Sequence, residues 1–178
     1  MGSVPVANEA LQRLAAAAHF VIANAGDDLG KTKLNKILWF ADCAAWRRTG
    51  RTITGLTHYA KLQYGPVPPK LDAALMLLAA DGAVESDKHY VGTYVRHGFF
   101  SKKSPATGNI LGPDEQAILS EIIDAVRNMT AFEVSELSHD ALWHETAHGG
   151  KISVEAASVK MFETPDPRIL DWARSRRA

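Results

Sequence analysis

Cysteine is nearly absent from this chain of 178 residues, because Cys43 is the only one. A single thiol excludes an intramolecular disulfide and a cysteine-rich zinc site, and it suits a reducing compartment. Long hydrophobic runs are missing as well, since no stretch approaches the ~20 apolar residues of a membrane-spanning helix. The longest N-terminal apolar run, 14–25, contains His19 and Asn24 and has no strongly basic lead-in, so it is a poor signal peptide. These absences predict a cytoplasmic protein that has no membrane partner.

An excess of charge of either sign is also lacking, since 20 Lys and Arg balance 20 Asp and Glu. The balance argues against a generally basic nucleic-acid-binding protein and against an acidic mimic. It is a cancellation along the chain, because net charge is −2 in 1–30, +7 in 31–70, −8 in 71–167 and +3 in 168–178. We therefore predict an electropositive partner-binding face in 31–70, joined by the Arg-rich tail.

The length and composition are those of one globular domain. A chain of 178 residues is close to one domain of about 150 residues, and 46% hydrophobic with 22% charged residues excludes a disordered chain. Hydrophobic residues recur at helical spacing. Helices are predicted at 8–25, 31–49 and 69–80, from Pro113, from a capping box at Thr130, and at 141–148, 154–162 and 167–177. The predicted class is mainly α (α+β), a single-domain helical bundle with a small antiparallel β element or hairpin.

Two segments show strand-like patterns. Residues 56–64 predict a strand, in which Leu56, His58, Ala60, Leu62 and Tyr64 form the apolar face and Tyr59 lies on the polar face. A Gly65-Pro66 turn follows. A hairpin is predicted within 84–100, with its turn at Lys88-His89.

A zinc-enzyme motif occurs at His144-Glu145-Thr146-Ala147-His148, which matches H-E-x-x-H. On a helix this spacing places both imidazoles on one face and the Glu beside a metal-bound water. A catalytic zinc site needs a third protein ligand, and no His follows His148. Gly149-Gly150 also ends the helix at once. A zinc hydrolase is therefore the less favoured alternative, and we predict no catalytic residue, metal or cofactor.

A second enzyme motif is incomplete. Residues 26–32 resemble the phosphate-binding loop G-x-x-x-x-G-K-[ST], but three residues rather than four separate Gly26 from Gly30. The preceding segment has a helical pattern, whereas a phosphate-binding loop follows a buried strand. The segment is thus predicted to be a turn between two helices.

A third set of motifs has a recognisable order. The helix segment 33–42, K-L-N-K-I-L-W-F-A-D, is followed by G-R-T-I-T-G at 50–55 and Y-G-P-V-P at 64–68, and L-S-H-D at 137–140 precedes Trp143. This order resembles the Panacea domain family of SocA-like antitoxins, which also occurs in phages and prophages. The resemblance covers about 14–162 and indicates a single Panacea-like domain over 1–178. The matching positions are Lys33, Leu34, Phe40, Asp42, Gly50, Thr54, Gly55, Tyr64, Gly65, Pro66, Pro68, Ser138, His139, Asp140 and Trp143.

The resemblance implies a non-enzymatic antitoxin of a bacterial toxin–antitoxin pair that neutralises a cognate protein toxin by direct binding. Neutralisation would either occlude the toxin or deliver it, as an adaptor, to an ATP-dependent protease. The alternative is a DNA-binding regulator of its own operon. In that interpretation the first two helices form a helix-turn-helix, and the second presents Lys31, Lys33, Lys36 and Arg47 to phosphates.

Several single residues are predicted to have structural rather than catalytic roles. Asp42 and His139 are predicted to be buried members of hydrogen-bond networks, because buried polar groups are normally paired. Cys43 is predicted to be a packed core thiol. Tyr64 is predicted to pack over the Y-G-P-V-P loop. The predicted partner-binding residues are Trp46, Arg47, Arg48, Arg51, Tyr64 and Trp172.

Overall fold

Helices dominate the computed structural model, which describes residues 6–105 and 108–160. In this part the elements are α1 Val6–Asn24, α2 Lys31–Thr49, β1 His58–Leu62, β2 Gly65–Val67, α3 Leu71–Ala80, β3 Val84–Val91, β4 Tyr94–Ser101, α4 Pro113–Val126, α5 Ala131–Leu137, α6 Ala141–Glu145, β5 Lys151–Ser153 and α7 Val154–Lys160. The predicted mainly α (α+β) class is confirmed. The helix predicted at 167–177, with Trp172, lies outside the described residues.

Helix α2 is the centre of the fold. It contacts α1, α4, α5, α7 and β2, and 11 of its 19 residues are buried. It ends where the sequence predicts, at Gly50, whose φ of 68° lies in the left-handed region that favours glycine. The Gly50 N–H donates to the Trp46 carbonyl oxygen over 2.8 Å. Because the helix is covered on most sides, its polar side chains need partners inside the protein.

Two clusters of buried side chains flank α2. The larger is built mainly by α1, α2, α3 and α4. The smaller joins Trp39 and Cys43 of α2 to Tyr59 of β1 and to the β5–α7 segment. The Trp39 and Tyr59 rings meet edge to face, with centroids 5.0 Å apart. Cys43 is a buried core thiol, as predicted, and burial raises its pKa far above the usual value.

The three-stranded antiparallel sheet has the order β2-β1-β5 and corrects several strand predictions. Residues 65–66, predicted to be a turn, belong to β2, and β5 was not predicted. The buried face of β1 is the opposite of the predicted one, since Tyr59 is fully buried and His58 is exposed. The physical reason is that tyrosine buries a large apolar ring whenever its hydroxyl finds a partner. In this fold Asp42 is that partner.

Strands β3 and β4 form the predicted hairpin, but its turn lies elsewhere. Lys88 pairs with His97 and His89 with Arg96 inside the ladder, so the chain turns at 92–93 instead. Gly92 opens this two-residue turn with φ 62°, a conformation that tight hairpin turns require and that favours glycine.

The starts of α4 and α5 agree with the sequence, whereas α1 begins at Val6 rather than at 8 and α3 begins at Leu71 rather than at 69. Helix α4 begins at Pro113, and Glu115 accepts a hydrogen bond from the Gly112 N–H over 2.9 Å. Thr130 caps α5 in a capping box with Glu133. None of the helices in 6–105 and 108–160 combines the length and apolar character that crossing a bilayer requires.

Candidate functional site

The Y-G-P-V-P segment lies against Lys36 of α2. The Lys36 ammonium is fully buried and donates to the Pro66 carbonyl oxygen over 2.8 Å. Because burial disfavours its charged form, the pKa of Lys36 falls from 10.5 to about 7. Gly65 has φ 107°, and a Cβ there would lie 2.7 Å from Lys36 Cε and would also collide with Ser138 Oγ. Only glycine fits this close approach.

Helix α5 holds the same segment from the other side. The Ser135 hydroxyl donates to the Tyr64 carbonyl oxygen over 2.7 Å, and the Ser138 hydroxyl donates to the Ser135 carbonyl oxygen over 2.6 Å. The α2, Y-G-P-V-P and L-S-H-D motifs therefore meet around Lys36. Ser135 was not predicted to be part of this site, although its position three residues before Ser138 places both on one helix face.

Asp42 fixes the G-x-x-I-T-G loop to the middle of α2. Its carboxylate accepts from the Ile53 N–H at 2.7 Å, from the Thr54 N–H at 3.0 Å and hydroxyl at 2.5 Å, and from the Tyr59 hydroxyl at 2.7 Å. Burial raises the pKa of Asp42 to about 6, and these donors oppose the rise. The prediction that Asp42 is a buried network member is confirmed, since it is fully buried and accepts four hydrogen bonds.

His139 and Trp143 form a stacked pair, with ring centroids 3.8 Å apart. The Lys61 ammonium lies 4.2 Å from the Trp143 ring centroid, and Asp140 caps α6 by accepting from the Trp143 N–H over 2.8 Å. His139 Nδ1 lies 3.2 Å from the Glu136 carboxylate. Its buried Nε2 has no partner in the described part of the chain, so the predicted network exists on one side of the ring only.

The H-E-x-x-H match does not form a metal-binding helix face. Helix α6 ends at Glu145, and Thr146 is already extended, with φ −84° and ψ 134°. The helix predicted at 141–148 is therefore shorter, and His148 lies beyond it rather than one turn from His144. No group of three or more metal-ligating side chains occurs within 6–105 and 108–160.

A cavity of about 700 Å³ opens where α2 begins, and we call it the α2-start cavity. It lies between the first turns of α2, the β1–β2 and β2–α3 connections, β4, and the start of α5. Basic side chains dominate its polar lining: Lys31, Lys33, Lys36, Lys70 and Arg96, against Asp28 and Asp72. Tyr64 stands at this cavity with 59% of its surface exposed, so it contributes more to the cavity than to loop packing.

The helix-turn-helix interpretation fails on burial. Lys33 is 3% exposed and Lys36 is fully buried, so neither is presented to a phosphate backbone. The Lys33 ammonium instead donates to the Arg127 carbonyl oxygen over 3.0 Å. A recognition helix must enter a groove with its side chains exposed, whereas α2 is the centre of the core.

The predicted partner-binding residues fall in two places. Trp46, Arg47, Arg48 and Arg51 lie at the end of α2, where Trp46 is half-buried against the smaller core cluster. Arg48 forms an ion pair with Glu121, with Nη2 and Oε2 2.6 Å apart. Tyr64 lies near Lys36, about 16 Å up the helix from Arg47 at 1.5 Å per residue. The structure thus separates Tyr64 from the basic end of α2.

The fold is a helical domain built around α2. Two α2 residues in the motif segment, Lys36 and Asp42, bind the neighbouring segments at 66 and at 53–54 through hydrogen bonds. Residues 34–144 match the family described as antitoxin SocA-like, Panacea domain. This match spans more than half of the chain, and the chain belongs to this family. Its membership supports a general antitoxin role. No curated protein and no solved structure matches the chain.

Proposed function

We propose that this protein neutralises a bacterial protein toxin by binding it directly, without catalysis. The observation that carries the proposal is that two family motifs, the α2 segment and Y-G-P-V-P, line the α2-start cavity, with Tyr64 exposed beside it. Exposed aromatic side chains with a polar tip are frequent anchors of protein interfaces. We expect the toxin to contact this region.

The burial and hydrogen bonding of the motif side chains Lys36 and Asp42 favour a binding role over catalysis. A general acid or base must reach a substrate proton. The Lys36 ammonium is bound to the Pro66 carbonyl oxygen, and the Asp42 carboxylate is surrounded by donors from the protein itself. Both groups are fully buried. Lys36 positions the Y-G-P-V-P segment that borders the cavity, and Asp42 positions the loop at 53–54.

Co-expression with the neighbouring reading frame tests the proposal. We expect the neighbour alone to arrest growth, this protein to restore it, and the two to co-purify. Tyr64→Ala should weaken rescue while leaving the melting temperature unchanged. Val159→Ala is the control, because Val159 is also exposed but lies on α7, which does not line the cavity. A harmless neighbour, or one that stays toxic beside the wild-type protein, would contradict the antitoxin role.

The protein could neutralise the toxin in two ways, by occluding it or by delivering it to an ATP-dependent protease in the cytoplasm. The two mechanisms predict different lifetimes of the toxin in the cell. Delivery predicts that co-expression shortens the half-life of the toxin and that rescue is lost in a host lacking the protease. Occlusion predicts a stable toxin that is retained in the complex and rescue in either host.

A further inference from the structure

We propose that the α2-start cavity receives an acidic segment of the toxin, with carboxylates at its basic mouth and an apolar side chain inside. The proposal rests on the proposed function, since it names the chemistry of the toxin element that is bound.

The first support is the charge that the protein itself leaves unmatched. Lys31 is paired with Asp72 over 2.5 Å, and Lys33 with Asp28 over 3.3 Å. Two further cations at the cavity, Lys70 and Arg96, form no ion pair with any residue that the structure describes. Arg96 only donates to the backbone carbonyl oxygen of Asp28, over 2.8 Å. Two positive charges without a carboxylate thus face a common space.

The second support is a polar side chain without a partner. Asn35 lines the cavity and is only 7% exposed, yet its Oδ1 makes no hydrogen bond within 6–105 and 108–160. A buried polar atom left unpaired costs about 1–3 kcal/mol. A carboxamide both donates and accepts, and so does a peptide backbone. An inorganic anion, which only accepts, does not complement it.

The third support is the apolar part of the lining, which separates a protein segment from a nucleic acid. Apolar side chains line the cavity on the sides that α2 does not form: Leu62, Val67, Pro68, Leu71, Val95 and Met129. A phosphate backbone offers charge at each unit but no aliphatic side chain to fill such a wall. A peptide segment in which acidic residues flank an aliphatic or aromatic one would place its carboxylates at Lys70 and Arg96 and its apolar side chain against the apolar lining.

Peptide selection on the full chain tests this chemistry without knowledge of the toxin. Random dodecapeptides displayed on phage are selected on the immobilised protein, and the most enriched peptide is synthesised with fluorescein for anisotropy titration. We expect enriched peptides to carry at least two acidic residues around an apolar one. Lys70→Glu combined with Arg96→Glu should weaken binding by about tenfold or more, since close charge pairs across interfaces contribute strongly. Added salt should weaken wild-type binding.

Lys102→Glu combined with Lys151→Glu is the matched control, because both lysines are exposed, and neither lines the cavity nor pairs in the ladder with a residue that does. Unaltered melting temperatures show that both double variants are folded. The proposal is overturned if enriched peptides lack acidic residues, if the control weakens binding equally, or if a fluorescent nucleotide displaces the peptide.

Neutralisation assays separate this proposal from the antitoxin role. If the Lys70→Glu, Arg96→Glu variant neutralises the toxin as well as wild type does, the cavity proposal fails and the antitoxin role stands. If wild type does not neutralise the neighbour at all, the antitoxin role fails, and the acidic-segment proposal falls with it. Loss of neutralisation in this variant alone, with the control unchanged, supports both.

Discussion

Gly65 illustrates how one residue holds three motifs together. Its backbone passes so close to Lys36 and Ser138 that any Cβ collides with both, and its φ of 107° is one that L-residues rarely adopt. We expect Gly65→Ala to lower the free energy of unfolding by about 3 kcal/mol, because backbone strain and a packing clash add. Denaturant titration measures the change.

Gly50→Ala is the control for this prediction. Gly50 also has a positive φ, 68°, but a Cβ there meets nothing within 4 Å. It should therefore cost only the left-handed backbone penalty of about 1–2 kcal/mol. Equal losses in the two variants would show that close approach to Lys36 is not what requires glycine at position 65.

Lys36 gives the protein a pH dependence that its sequence does not reveal. Its pKa is about 7 in the folded protein and 10.5 as the ordinary value, so the unfolded chain binds one more proton between these pH values. Stability from this group is therefore complete above pH 10.5 and lost as pH falls through 7. The slope reaches about 1.4 kcal/mol per pH unit inside that window.

We accordingly expect Lys36→Met to flatten the rise of unfolding free energy between pH 7 and 10, because methionine fills similar space without a titrating amine. Urea titrations at successive pH values give the profile. Lys88→Met, at an exposed lysine on β3, should keep the wild-type slope. Parallel profiles for wild type and Lys36→Met would contradict the assignment of a low pKa to Lys36.

At the scale of elements, α5 is the clamp on the Y-G-P-V-P segment, and its position depends on its cap. The Thr130 side chain accepts a hydrogen bond from the Glu133 N–H over 3.2 Å, and the Glu133 carboxylate accepts one from the Thr130 N–H over 2.7 Å. Thr130→Ala removes half of this box and should cost about 1 kcal/mol. Ser135 and Ser138 lie on this helix or at its end, so their contacts should loosen with it.

Hydrogen exchange measures the loosening directly. Thr130→Ala should exchange faster at amides in 131–138 and in 64–68, whereas Thr130→Ser should retain the cap and the wild-type rates. Faster exchange confined to α5 would show that the Y-G-P-V-P segment does not depend on this clamp.

Sequence patterns predicted the helices better than the strands, for a physical reason visible in β1. Helix ends such as Gly50 and Thr130 are marked by local chemistry, namely a left-handed glycine and a capping box. The buried face of β1 is chosen by a partner 17 positions away, since Tyr59 turns inward to reach Asp42. Strand β5 exists because it pairs with β1, and no local signal encodes that pairing.

The same distinction applies to the candidate site. The order of the motifs predicted that Asp42, Gly65 and Ser138 are family-motif positions, because each is part of a recognisable segment. The contributions of Ser135 and Arg96 were missed, since their roles arise only when α5 and β4 pack near the start of α2. Composition could not show that Lys33 and Lys36 are buried, and this burial removes the helix-turn-helix interpretation of α2.

At the scale of the whole molecule, the charge of segment 31–70 is divided between the interior and the surface. Lys33 and Lys36 are buried, and Lys31 and Arg48 are paired with Asp72 and Glu121. The +7 of this segment is therefore much smaller as a surface field than as a sum along the chain. Of the other cations, Lys61 lies over the Trp143 ring, Lys70 lies at the α2-start cavity, and Arg47 and Arg51 lie at the end of α2.

The end of α2 yields the last prediction, which concerns association rate. Arg47 and Arg51 are exposed beside the Arg48–Glu121 pair, and surface charge steers encounter more than it holds a complex. Arg47→Glu with Arg51→Glu should slow toxin association several-fold and reduce its salt dependence, with a smaller effect on dissociation. Arg48 is left intact because its reversal would place two carboxylates together.

Stopped-flow or surface-plasmon kinetics at two salt concentrations measure both rates, and Lys88→Glu with Lys151→Glu supplies an equal charge change elsewhere. If both double variants slow association equally, only net charge matters. If neither does, the end of α2 is no part of the partner face.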